Sequence, residues 1–113
     1  MDFERFQAEL SAILQGIEHP RLMAALAFGE EAGEVQRCVL DAEGYGKDVR
    51  RELEAEVGDA LASLTEVASR YGISLESAAR GALEKIRSKA PAWRQELSGR
   101  LVALRHRMDD PLP

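Results

Sequence analysis

Apolar side chains recur along this chain at intervals of three and four, the period of an α-helix, and no stretch alternates as a strand would. Phe3, Phe6, Leu10, Ile13, Leu14 and Ile17 form one such stripe, so Asp2 is expected to cap a first helix running to about Gly16. Glu18-His19-Pro20 breaks it. Pro20 suits the first turn of a second helix, which should reach about Glu43, where the Glu43-Gly44-Tyr45-Gly46 segment stops it. A third helix is expected from about Asp48 to Tyr71, with Gly72 as its C-terminal glycine, and a fourth, capped by Ser74, from Leu75 to about Lys89. Pro91 is expected to open a fifth, carrying Trp93, Leu97, Leu101, Leu104 and Met108 and ending at residue 108, with 109–113 a frayed tail. Short connections between long helices predict an all-α fold, an antiparallel bundle of four to five helices. The length of 113 residues suits a single domain, 1–113, whose small core is expected to be completed by oligomerisation.

The second helix poses a problem. Glu30, Glu31 and Glu34 lie within an arc of roughly 100° on it, shared with Met23, Ala27 and Cys38. Leu22, Leu26 and Leu40 form a neighbouring stripe, and Phe28, Val35 and Val39 occupy the opposite side. A helix apolar nearly all round is expected to be buried nearly all round, which leaves its acids no broad polar face. On the third helix Glu52, Glu56, Asp59, Ser63 and Glu66 make a stripe roughly 80° wide. Leu53, Val57, Ala60, Leu61, Leu64 and Tyr71 flank it on one side, and the smaller Ala55, Gly58, Ala62, Thr65 and Ser69 on the other.

Bringing these acids together without a cation is costly, because carboxylates lose hydration and repel one another. A divalent ion removes the difficulty. Glu31/Glu34 and Glu56/Asp59 each have i, i+3 spacing, so two adjacent helices would give four converging carboxylates, which suit a hard cation. The alternative is a pair of solvated polar faces. A di-iron centre needs Glu-x-x-His pairs, and neither His19 nor His106 lies three residues after a Glu. Mg²⁺, with Mn²⁺ as a possible substitute, is therefore the expected ion.

Charge and composition narrow the class further. The net charge of -5 argues against a nucleic-acid polymer as partner. From Glu84 to Arg107, however, seven Lys/Arg face two Glu, a local +5. That basic part suits a metal-phosphate ligand or, more plainly, a solvated or partner-facing helix. The longest apolar run, Leu22–Phe28, is far below the roughly 20 residues that cross a bilayer. With no signal-peptide core and one cysteine, Cys38, the expectation is a cytoplasmic protein that does not engage a membrane. Cys38 reads as core or pocket lining, and Ser63 and Thr65 have no nearby His, so no side chain is expected to act as nucleophile. Phe28, Tyr71 and Trp93 read as packing residues, with base stacking the sharper alternative for Trp93. Gly29, Gly33 and Gly58 fit close helix contact or chance.

The order Glu30-Glu31-x-x-Glu34, 21 intervening residues, then Glu56-x-x-Asp59 resembles the signature of MazG-type nucleotide pyrophosphohydrolases, an all-α superfamily. Tyr71–Ile86 and the Lys85–Pro91 segment are similar to the downstream family pattern, so the resemblance spans about 22–91. It implies Mg²⁺-dependent hydrolysis of a nucleoside triphosphate, NTP or dNTP, between the α and β phosphates, giving a monophosphate and pyrophosphate and clearing excess or damaged nucleotides. It implies Glu31, Glu34, Glu56 and Asp59 as metal ligands. Glu30 becomes an extra ligand or the group that orients or deprotonates water, which makes Glu30 and Glu31 the catalytic candidates. Lys85 and Lys89 are implied to meet phosphate oxygens, although by spacing alone they are ordinary surface lysines. The sequence departs from the family at Ser88, where Arg is frequent, and Lys89 also replaces an Arg, without its bidentate fork. A dimer or tetramer with sites completed across the interface is implied too. The competing reading is a non-catalytic helical module whose acidic cluster binds a metal or a basic partner.

Overall fold

The computed structural model describes residues 1–109; Asp110, Pro111, Leu112 and Pro113, most of the expected tail, lie outside the described residues. The described residues form four helices and no strand: α1 (Phe3–Leu14), α2 (Arg21–Tyr45), α3 (Arg50–Arg70) and α4 (Leu75–Asp109). The all-α expectation holds.

The helix ends follow local chemistry. Asp2 accepts the Arg5 N–H at 2.8 Å and Ser74 accepts the Ser77 N–H at 3.1 Å, so both expected caps are in place. Gly46 takes the left-handed conformation at φ 66° and sends its N–H to Ala42 O, which closes α2 two residues beyond Gly44. Gly72 does the same after α3 at φ 67°, while the Ile73 N–H returns to Ala68 O. A residue with a Cβ would be strained in either place.

Pro91 does not open a new helix. α4 runs through it as one helix of 35 residues, so the expected fifth helix, 91–108, is the second half of the fourth. Proline's fixed φ is compatible with the helix, and what it forfeits is one N–H bond to the carbonyl four residues back, on Arg87. Arg87 and Ser88 are exposed, so that carbonyl can turn to water.

The chain divides into two compact units, Met1–Ala78 and the segment from Ala79 onward. In the first, the short 46–49 connection folds α2 back antiparallel along α3, and α1 packs on α3. The C-terminal end of α3 collects the polar ties. Gln7 of α1 donates to Ser69 Oγ (3.0 Å) and to Ile73 O (2.8 Å), and its Oε1 accepts the Leu75 N–H at the start of α4 (2.8 Å). Glu66 and Arg70 bind His19, just before α2. Ala24 and Thr65 are fully buried, and the Thr65 hydroxyl returns to Leu61 O at 2.6 Å.

The expectation that α2 is buried nearly all round fails within this chain. Only Ala24 and Cys38 on α2 are buried; Leu22, Leu26 and Leu40 are exposed, because α3 covers one side of the helix. Tyr71 is likewise outside the core, with the Arg21 guanidinium 5.2 Å from its ring centroid. In the second unit Trp93, Leu101, Leu104 and Met108 remain exposed.

Candidate active site

The middle of the α2–α3 hairpin holds the carboxylates. Glu31 on α2 and Glu56 and Asp59 on α3 each present an oxygen, and these oxygens lie within 4.8 Å of one another. Glu56 and Asp59 share a face of α3 because three residues turn the helix through nearly a full circle, and the antiparallel register carries Glu31 opposite them. Glu31 and Glu56 are half-buried and Asp59 is exposed, so the cluster opens to solvent on one side.

The electrostatics record the crowding. Burial pushes the Glu56 carboxyl above its ordinary value, and the charges of Asp59, Glu34, Glu31 and Glu52 push it further. The Cys38 thiol, buried in the same hairpin, is raised first by burial and then by Glu52, Glu56, Asp41 and Glu34. A thiol held neutral in this way is packing, not a nucleophile.

The three oxygens suit a divalent ion. Octahedral Mg²⁺ binds oxygen at about 2.0–2.1 Å, which sets ligand oxygens roughly 3 to 4 Å apart. Oxygens within 4.8 Å of one another are near enough for small side-chain rotations to close them on an ion. The cluster's donors are all hard carboxylate oxygens, with no His among them.

Glu34 stands apart from the three. Its Oε1 is 3.7 Å from Arg37 Nη2, an i, i+3 pair with both side chains well exposed. Such a pair is weak and readily exchanged. Glu30 is exposed, and with Glu31, Glu34, Gly29, Gly33 and Arg37 it borders an open depression of about 520 Å³ on α2. Gly29, Gly33 and Gly58 are not points of close helix contact, since a Cβ at any of them would meet nothing within 4 Å. Lys85 and Lys89 are exposed on α4, in the second unit.

Glu66 shares the periodicity of the acidic stripe but has another partner. It is buried, with 7% of its surface exposed; Oε1 lies 2.7 Å from His19 Nδ1 and Oε2 accepts the His19 backbone N–H at 3.1 Å. No local pattern announces a pair separated by 47 residues.

An all-α hairpin thus gathers hard oxygen donors from both of its helices into a carboxylate cluster that could hold a metal ion. Residues 18–93, well over half of the chain, match the MazG nucleotide pyrophosphohydrolase domain. The chain belongs to that family. Searches of curated proteins and of solved structures returned no match. No helix among the described residues is long and apolar enough to cross a membrane.

Proposed function

We propose that this protein hydrolyses nucleoside triphosphates at the α–β bond in a Mg²⁺-dependent reaction, with Mn²⁺ as a possible substitute, to a nucleoside monophosphate and pyrophosphate. The observation that carries the reading is the convergence of Glu31, Glu56 and Asp59 in a chain of the MazG family. An ion held there would offset the negative charge of a triphosphate and acidify a nearby water.

Each side chain then has a part. Glu31, Glu56 and Asp59 would hold the ion, with Glu34 free to join them on release from Arg37. Glu30, at the rim of the depression, orients or deprotonates the attacking water. The water oxygen bonds to the α-phosphorus, the α–β bridging bond breaks, and pyrophosphate departs with the bridging oxygen. Lys85 and Lys89 meet phosphate oxygens and stabilise charge on the leaving group. Cys38 takes no part.

The exposed apolar residues of α2 and of the 79–109 segment support a homo-oligomer, dimer or tetramer, that covers them. The lone Cys38 suits the reducing cytoplasm, and the family match suits a house-cleaning role on the nucleotide pool.

A panel of NTPs and dNTPs with Mg²⁺, scored separately for pyrophosphate and orthophosphate, tests the reading. Pyrophosphate is expected from at least one triphosphate, and Glu31→Gln and Asp59→Asn are expected to abolish it. Orthophosphate release, or activity that survives both substitutions, contradicts it.

A further inference from the structure

We infer that Glu66 is a positioning residue for the carboxylate site: its grip on His19 fixes the register of α2 along α3, and through it the meeting of Glu31 with Glu56 and Asp59. The inference rests on reading those three carboxylates as a divalent-ion site.

The grip is unusually complete for one side chain. The two oxygens of the buried Glu66 carboxylate hold two different groups of the same residue, the ring Nδ1 of His19 at 2.7 Å and its backbone N–H at 3.1 Å. One turn further along α3, Arg70 Nε donates to the His19 carbonyl at 2.9 Å. Ring, N–H and carbonyl are therefore all held from the same helix, which fixes His19 in direction as well as distance. The fixation passes stiffly into α2. Pro20 follows with its locked φ, and its carbonyl accepts the Ala24 N–H at 2.9 Å, the first helical bond. Arg21, the first residue of α2, lies over Tyr71.

This lock and the metal site share one register. Glu31 lies ten residues beyond Arg21 on α2, and Glu56 lies ten residues before Glu66 on antiparallel α3, each a rise of about 15 Å. A position set at the lock is thus delivered at the carboxylates. A slip of one residue would carry Glu31 about 1.5 Å along the helix and about 100° around it. Mg²⁺ tolerates far less, because its oxygen ligands must stay near 2.0–2.1 Å in octahedral geometry. The 46–49 connection ties the hairpin at one end only. Glu66 ties the other and leaves the site between two fixed points.

The test is Mn²⁺ binding by the full chain, read from the loss of the free-ion EPR signal, with far-UV circular dichroism confirming that each variant is folded. Glu66→Ala removes both acceptors and is expected to weaken Mn²⁺ binding by about tenfold or more, the scale of an outer ligand-supporting contact. Glu66→Gln removes the same charge but still offers an oxygen to the His19 backbone N–H and, with the imidazole proton on Nε2, an amide N–H to Nδ1, and is expected to bind close to wild type. Folded Glu66→Ala that binds Mn²⁺ like wild type overturns the inference. So does Glu66→Gln that loses as much as Glu66→Ala, since the effect is then one of charge. Should Glu66→Ala fail to fold, the decision passes to His19→Ala, which keeps the backbone contact and loses the ring. Weakened binding there supports the lock, and unchanged binding overturns it. Wild-type protein that binds no Mn²⁺ sinks the metal-site reading itself, whereas binding that is indifferent to Glu66 sinks only this inference.

Discussion

Glu56→Gln is expected to reduce kcat/KM for the triphosphate by a factor on the order of 10² to 10³ while leaving the metal-free protein at least as heat-stable as wild type. Glutamine has nearly the same shape, so packing on α3 is kept. What is lost is the negative charge at the most crowded point of the cluster, where Asp59, Glu34, Glu31 and Glu52 all bear on one half-buried carboxyl. An ion that contributes several kcal/mol of charge stabilisation is worth two to three decades of rate at about 1.4 kcal/mol per decade. The stability half of the prediction distinguishes this residue from an ordinary structural glutamate. A neutral side chain at 56 relieves repulsion, so function and stability should move in opposite directions. Enzyme assays beside thermal melts without metal check both halves. A Glu56→Gln protein that keeps its activity, or loses it only because it is unfolded, contradicts the assignment.

Mg²⁺ is expected to raise the melting temperature by roughly 10 °C at pH 7.5 when present at about 100 times its Kd, since that excess stabilises the folded state by about 2.7 kcal/mol. The gain should shrink as pH falls. The Glu56 carboxyl has a raised value in the folded protein. Between its unfolded value, near 4.3, and that raised value, the folded chain binds more protons than the unfolded one, and stability therefore falls as pH rises through the window. The penalty is complete above the folded value, and there an ion has the most to relieve. Near pH 4.5 a proton competes for the same oxygens, and the ion should add little. Melts with and without MgCl₂ at matched ionic strength across this range measure the difference. An equal shift from NaCl, or a Mg²⁺ shift independent of pH, contradicts the expected linkage.

The parts of this protein legible in its sequence are those decided within one or two helical turns. Asp2, Ser74, Gly46 and Gly72 act on backbone groups a few residues away, and each end falls close to where local chemistry sets it. Glu56 and Asp59 share a face for the same reason, whereas Glu31 meets them through the antiparallel register of α2 and α3. The failures are matters of competition or of distance. Pro91 lowers helix stability but does not decide a helix extending eighteen residues beyond it. The apolar stripes of α2 state what could be buried, not whether this chain alone supplies the cover. Glu66 follows the periodicity of the acidic stripe for one turn too many, to a place where the nearest partner is His19 rather than an ion.

Oxygen tracing bears most directly on the proposed chemistry. Hydrolysis of an accepted triphosphate in H₂¹⁸O with Mg²⁺ is expected to place the label in the nucleoside monophosphate and none in pyrophosphate, because water attacks the α-phosphorus and the bridging oxygen leaves with the β-phosphorus. Label in pyrophosphate or in orthophosphate, or a phosphorylated protein trapped during turnover, would contradict an account in which Glu31, Glu56 and Asp59 hold the ion that serves that attack.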